Sequence, residues 1–406
     1  MKVTAIDTLQ LAEFPFLLWL RVHTDQGAVG TGETFWAPGP VASYLHDNVA
    51  AYLIGKDPRD IELHDRTLSS VYVGARDSGA EVRGNSAVNI ALWDIYGQAL
   101  GEPVWRLLGG RTHQSVPVYN TCAGYQHVRA SKKNSLFERT EDWSLKAGDL
   151  NNGPYEDLLA WRFNAGDLAK SLLSEGIAAM KIWPFDIAAE ASNGTRISLV
   201  DIDKALEPFQ KIRDAVGRNI EIMVELHGLW TLAPALRIAE ALIPYDVAWL
   251  EEPIRYNELD AMAELARRTS IPIAASERLA SRQMFKQLID KRAASVIMID
   301  LAWCGGLSEA RKIANMAEAS ELPVTLHDCT GPIVYAASCA LSATLPNANY
   351  QECVRAYFSG WYTEIVADLP LVSNGRVAPL ERPGLGMKLR EELFQRADAT
   401  VRRTGA

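Results

Sequence analysis

The sequence predicts an α/β protein: a (β/α)8 TIM-type barrel with an α+β capping domain formed by the N-terminal part and the C-terminal tail. Three observations carry this. From about residue 115, eight short apolar runs alternate with amphipathic stretches. The runs are nearly continuous in apolar character, as in parallel strands buried on both faces. No G-x-G-x-x-G follows an early strand, which argues against an open, doubly wound dinucleotide fold.

In chain order, residues 2–10 and 17–24 alternate as strands do, Asp25-Gln26-Gly27 signals a turn, and Ala28–Glu33 forms a third strand. Helical patterns follow at 39–54, 58–70 and 86–100, the last with Ala87, Ile90, Ala91, Trp93 and Tyr96 on one face. The barrel runs are Val116–Asn120, Ala178–Trp183, Ile220–Glu225, Val247–Glu251, Ile273–Glu277, Ser295–Asp300, Pro323–His327 and Asn349–Cys353. Residues 124–160 are long for a βα loop and are expected to form a lid; 186–199 is also longer than a connection needs. Turn signals at Ser373-Asn374-Gly375 and Pro383–Gly386 bring the tail back to the first domain. The expected domains are 1–114 (capping), 115–357 (catalytic barrel) and 358–406 (returning segment).

The 406 residues are 48% hydrophobic and 22% charged, which excludes disordered, collagenous and coiled-coil chains. A net charge of −9 without a Lys/Arg run predicts no nucleic-acid partner. No run reaches the roughly 18 apolar residues of a membrane helix. The N-terminus enters a strand pattern directly, without a secretory signal. Five scattered cysteines, lacking a C-x-x-C pair, fit a reducing cytoplasm and no disulfide framework.

Active residues of such barrels sit at the C-terminal ends of the strands. The third, fourth and fifth runs end in Glu225, Glu251 and Glu277, 26 residues apart each time. Three acids converging there repel one another unless a cation holds them. An all-oxygen set predicts a hard ion, Mg²⁺ or Mn²⁺. By alternation, Glu252 faces away from the site. The sixth run ends in Asp300 and the seventh in His327; on neighbouring strands, a carboxylate orienting an imidazole makes a general base. Asp328 then points elsewhere. His227, two residues past Glu225, returns to the same face and is the candidate general acid. Lys181 either holds a substrate carboxylate or pairs with a ligand Glu. Glu352, at the eighth strand, would bind the far oxygen of an enolate if protonated.

Together these residues resemble the enolase superfamily, and within it the mandelate racemase subgroup. The resemblance covers nearly the whole chain. It includes Ser86–Gly97 with Pro103–Gly110, the Glu225/Glu251/Glu277 ladder with Glu251-Glu252-Pro253, and Asp300 with Cys304-Gly305-Gly306 ahead of His327. It implies a modified, enolase-like barrel, Mg²⁺ as cofactor, a small-molecule carboxylate substrate and a homo-oligomer. The chain looks most similar to the acid-sugar dehydratases such as galactonate dehydratase, which have a His two residues past the first ligand and a similar Pro-Gly-Leu-Gly. It departs from them in having Glu225 where Asp is common, and in the 124–160 segment.

Racemases and cycloisomerases of the subgroup carry Lys-x-Lys on the second barrel strand; here the pair is Lys181 and Trp183, so the second base is missing and Trp183 is expected to contact substrate. A base (His327) and an acid for the leaving hydroxyl (His227) suit dehydration of a sugar acid, aldonate or aldarate, to a 2-keto-3-deoxy acid. The same enolate also serves a racemase, an epimerase or a cycloisomerase. A non-catalytic metal-binding barrel is the reading outside enzymology.

Overall fold

The structure, a computed structural model, describes residues 1–70, 78–125, 127–129 and 155–406. Most of the expected lid therefore lies outside the described residues. Three strands open the chain: β1 (Val3–Leu11), β2 (Leu17–Thr24) and β3 (Val29–Phe35). Eight barrel strands follow: β4 (Val116–Thr121), β5 (Ala179–Ile182), β6 (Glu221–Glu225), β7 (Trp249–Glu251), β8 (Ile273–Ala275), β9 (Val296–Ile299), β10 (Val324–Leu326) and β11 (Ala348–Cys353). The tail adds β12 (Val372–Ser373), β13 (Arg376–Val377) and β14 (Ala399–Gly405).

Strands β4 to β11 pair in parallel in sequence order, and β11 pairs with β4, so the sheet closes into an eight-stranded barrel. Helices such as Leu232–Leu242, Leu259–Arg268 and Leu307–Ala319 return the chain between strands. They bury one apolar face each against the barrel and leave charged residues outside. No helix among the described residues is long and apolar enough to cross a membrane.

The capping sheet is antiparallel, in the order β14-β1-β2-β3. The helix Gly79–Leu100 lies directly on it. Gly30 and Gly32 permit that approach, because a Cβ on either would fall 2.1 or 2.0 Å from the carbonyl oxygen of Ala91 or Ala87. This helix begins seven residues before the expected 86. The pattern at 39–54 resolves into two α segments around a π-helical turn, Leu45–Val49. The tail does more than return to the cap. Asn374 and Gly375, both left-handed, turn a hairpin whose β13 pairs with β4 at the foot of the barrel, before β14 reaches β1. Within Pro383–Gly386, the Leu385 N–H donates to Asp94 Oδ1 at 2.8 Å and ties the tail to the capping helix.

Several polar contacts lock cap to barrel, those of Glu33 and Asn89 among them. Glu33 on β3 accepts from the backbone N–H groups of Ile333 and Val334, which open the helix Pro332–Ser342. Asn89 donates to Ser308 Oγ at 3.0 Å and accepts the Ser308 N–H at 3.1 Å.

Candidate active site

The barrel interior is layered by strand alternation. Tyr119, Ala179, Met223, Trp249, Ala274, Val296 and Met298 form an apolar plug. Two positions further along their strands stand Thr121, Lys181, Glu225, Glu251 and Asp300, all buried. The same period of two that seals the base thus raises a polar layer directly above it. The tilted Trp249 ring donates Nε1–H to Glu251 Oε2 at 3.0 Å, so the plug also orients a site carboxylate.

Glu225, Glu251 and Glu277 each offer a carboxylate oxygen, and those atoms lie within 4.8 Å of one another. Lys181 Nζ sits 3.3 Å from Glu225, pairs closely with Glu251, and lies 2.9 Å from Glu352. Arg278 Nε is 3.4 Å from Glu277. Burial pushes the Glu251 carboxyl well up, reinforced by Glu225 and Glu352 against the pull of Lys181. Glu277 goes the other way, to about 2, because His327 and Arg278 outweigh its burial. Buried acids exceed fixed cations, and every donor atom in the triad is oxygen. The residues therefore fit a hard divalent cation.

His327 Nδ1 lies 2.5 Å from Asp300 Oδ2, while its Nε2 faces Glu277 at 3.1 Å and Glu352 at 3.8 Å. Burial disfavours the imidazolium, but Glu277, Glu352 and Asp300 more than offset it and hold His327 well above its ordinary value. Burial raises Asp300 despite its partner. Glu352 stands between Lys181 and His327. Its burial is outweighed by Lys181 and His327, which hold it below the ordinary value, and it accepts from the Thr121 hydroxyl and, at 3.0 Å, from the Asp328 N–H. The Asp328 side chain points away, to the Tyr362 hydroxyl at 2.6 Å.

On the other side, His227 Nδ1 lies 2.7 Å from Asp186 Oδ2. Alternation does not bring His227 in, since β6 ends at Glu225. A left-handed backbone (φ 50°) does, with the His227 N–H held by Glu225 Oε1 at 2.7 Å. Trp183, just past β5, packs edge-on against His227 with ring centroids 5.9 Å apart. All nine expected residues stand at this end of the barrel. A cavity of about 530 Å³ is lined by Lys181, Trp183, Glu225, His227, Glu277 and His327, closed by Phe35, Trp36 and Arg83 from the cap. That volume suits a small metabolite. A larger cleft of about 830 Å³ between cap and barrel helices holds none of the strand-end residues.

One placement differs from expectation. β8 ends at Ala275, so Glu277 enters the site from the following turn and not as a strand residue. Glu252 belongs neither to the carboxylate triad nor to the cavity lining; it is fully buried, and burial lifts its carboxyl to about 8, with Glu277 adding to the shift. Sequence reasoning missed Asp186, Thr121 and Arg278. Thr121 and Arg278 were within reach, one residue past Asn120 and Glu277 respectively. Asp186 carries no local signal, because its pairing spans 41 residues.

Comparison with known proteins agrees with this geometry. The family described as "Mandelate racemase / muconate lactonizing enzyme, N-terminal domain" matches residues 2–109, and "Enolase C-terminal domain-like" matches 164–393. A D-xylonate dehydratase of Haloferax volcanii is 28% identical over 395 residues, 96% of this chain and 87% of that protein. A D-galactonate dehydratase of Xanthomonas axonopodis pv. citri is 30% identical, covering 98% and 94%. The crystal structure of an enolase of the mandelate racemase subgroup from Agrobacterium tumefaciens matches with a TM-score of 0.87 at 44% identity, over 100% of this chain and 99% of that one.

Proposed function

The chain belongs to the mandelate racemase / muconate lactonizing enzyme family of the enolase superfamily, and on that premise we propose that it is a Mg²⁺-dependent dehydratase of a sugar acid, aldonate or aldarate. One observation carries the reading: two histidines, each held by its own carboxylate, face one cavity that Glu225 and Glu277 of the carboxylate triad also line. The names of the two dehydratase relatives support it.

Glu225, Glu251 and Glu277 would hold the Mg²⁺, which when bound supplies Lewis-acid charge against the substrate carboxylate. Lys181 supplies a fixed positive charge beside it. His327 Nε2, the ring nitrogen that Asp300 leaves open, accepts the proton α to the carboxylate. Asp300 orients the ring and stabilises the imidazolium that forms. The bonding pair moves into the carboxylate as an enediolate, which Lys181 stabilises electrostatically. His227 donates its proton to the β-hydroxyl as the C–O bond breaks, and water leaves. The enol then tautomerises to a 2-keto-3-deoxy acid. Trp183 flanks the acid with an apolar face where a two-base racemase needs a second base. The five free cysteines support a cytoplasmic setting.

The test is a panel of aldonic and aldaric acids with Mg²⁺, run beside His327→Asn. The expected result is a 2-keto-3-deoxy product that the variant fails to form. Proton exchange or stereochemical inversion without dehydration overturns the reading in favour of an epimerase.

A further inference from the structure

Dehydration leaves a thiol at the cavity unused. Cys329 follows the base by two residues, lines the cavity, and is a free thiol. His327, Cys329 and Glu352 each offer one ligand atom, and these atoms lie within 4.8 Å of one another. The set is an imidazole nitrogen, a sulfur and a carboxylate oxygen. That is a donor set for a borderline-soft ion, unlike the all-oxygen triad beside it.

The surroundings are those of a metal site. Asp300 occupies Nδ1 of His327 and leaves Nε2 as the ligand atom, the carboxylate–histidine arrangement that fixes ring orientation in zinc sites. Glu352 is held by the Asp328 N–H at 3.0 Å, by the Thr121 hydroxyl and by Lys181. His327 Nε2 and Glu352 Oε2 are 3.8 Å apart, and a small side-chain shift brings them to the span of about 3.3 Å between two ligands of one tetrahedral ion.

We propose that His327, Cys329 and Glu352 form a second, soft-metal site that binds Zn²⁺ and, when filled, takes the base out of action. On binding, the Cys329 thiol releases its proton to solvent as the S–Zn bond forms. Nε2 and the carboxylate oxygen each donate a lone pair, a cavity water completes the coordination, and nothing is oxidised or reduced. The lone pair that would accept the substrate proton is then engaged, so zinc competes with substrate and excess Mg²⁺ does not relieve it. The metal site stands on the donor set alone, and its effect on the base rests on the dehydratase reading.

The experiment titrates the Mg²⁺-saturated protein with Co²⁺ and then Zn²⁺. The expected result is a thiolate-to-cobalt charge-transfer band in the near ultraviolet, erased by one equivalent of Zn²⁺. In Cys329→Ser and Cys329→Ala, each checked for a native circular dichroism spectrum, the band is lost and zinc affinity falls about 10²-fold. Absence of the band in the native protein, or equally tight zinc binding by both variants, overturns the proposal. Failure of the sugar-acid panel leaves this readout unaffected.

Discussion

Glu33 Oε2 accepts the backbone N–H of Val334 at 3.0 Å, across 301 residues of chain. Its other oxygen accepts the Trp19 indole at 2.6 Å, and Ile333 adds a second amide at 2.8 Å. The carboxylate thus caps the first turn of the helix that follows the His327 strand, in the role usually filled by a local N-cap. Gly331 makes room for it, since a Cβ there would fall 2.2 Å from the Glu33 carboxyl carbon. Glu33→Ala should destabilise the protein by about 3 kcal/mol, because it leaves buried donors without an acceptor. Gly331→Ala should be destabilising as well. Denaturant midpoints of the purified variants check both.

Burial pushes the Glu33 carboxyl from an ordinary 4.5 up to about 8, despite its three N–H donors. Between those values the folded protein holds a proton that the unfolded chain has lost. The contribution is therefore full below about 4.5 and is lost as pH rises through about 8. Glu33→Gln should flatten the fall in stability between these limits. A wild-type slope unchanged in the variant would assign the fall to other groups.

Asp300→Asn replaces the carboxylate on His327 Nδ1 and removes its hold on ring tautomer and charge. We expect kcat to drop about 10²- to 10⁴-fold, with KM changed little. Loss of α-proton exchange with deuterated water, followed by NMR, is the matching readout.

His227→Asn separates the two proton transfers. The base keeps its partners, so α-proton exchange should persist while formation of the keto-acid product stops. Asp186→Asn, which weakens the 2.7 Å contact to His227, should give a milder version of the same split.

Mg²⁺ should raise the melting temperature, because it neutralises acids that repel one another in the empty triad. At a hundredfold excess over Kd the gain is about 2.7 kcal/mol. Glu251→Gln should abolish this shift, and EDTA should reverse it in the wild type.

The sequence made legible whatever depends on strand period. Lys181, Glu225, Glu251 and Asp300 could be placed because each continues a buried alternation whose previous members form the apolar plug. Legibility stops where the ladder stops. Glu277 lies two residues past the three-residue β8, in a turn, so alternation no longer governs it. The partners that set charge were hidden for another reason. Thr121 meets Glu352 across 231 residues, through barrel closure, and Asp186 meets His227 across 41, through the pairing of β5 with β6.

The pairing of Ala5 with Gly405 has a consequence for the order of events at the ribosome. Nearly the entire chain must be synthesised before the outermost strand of the capping sheet exists. Until then β1 presents an unpaired edge, open to association with other nascent chains. Closure of the sheet is a late, highly non-local step, and such steps are slow.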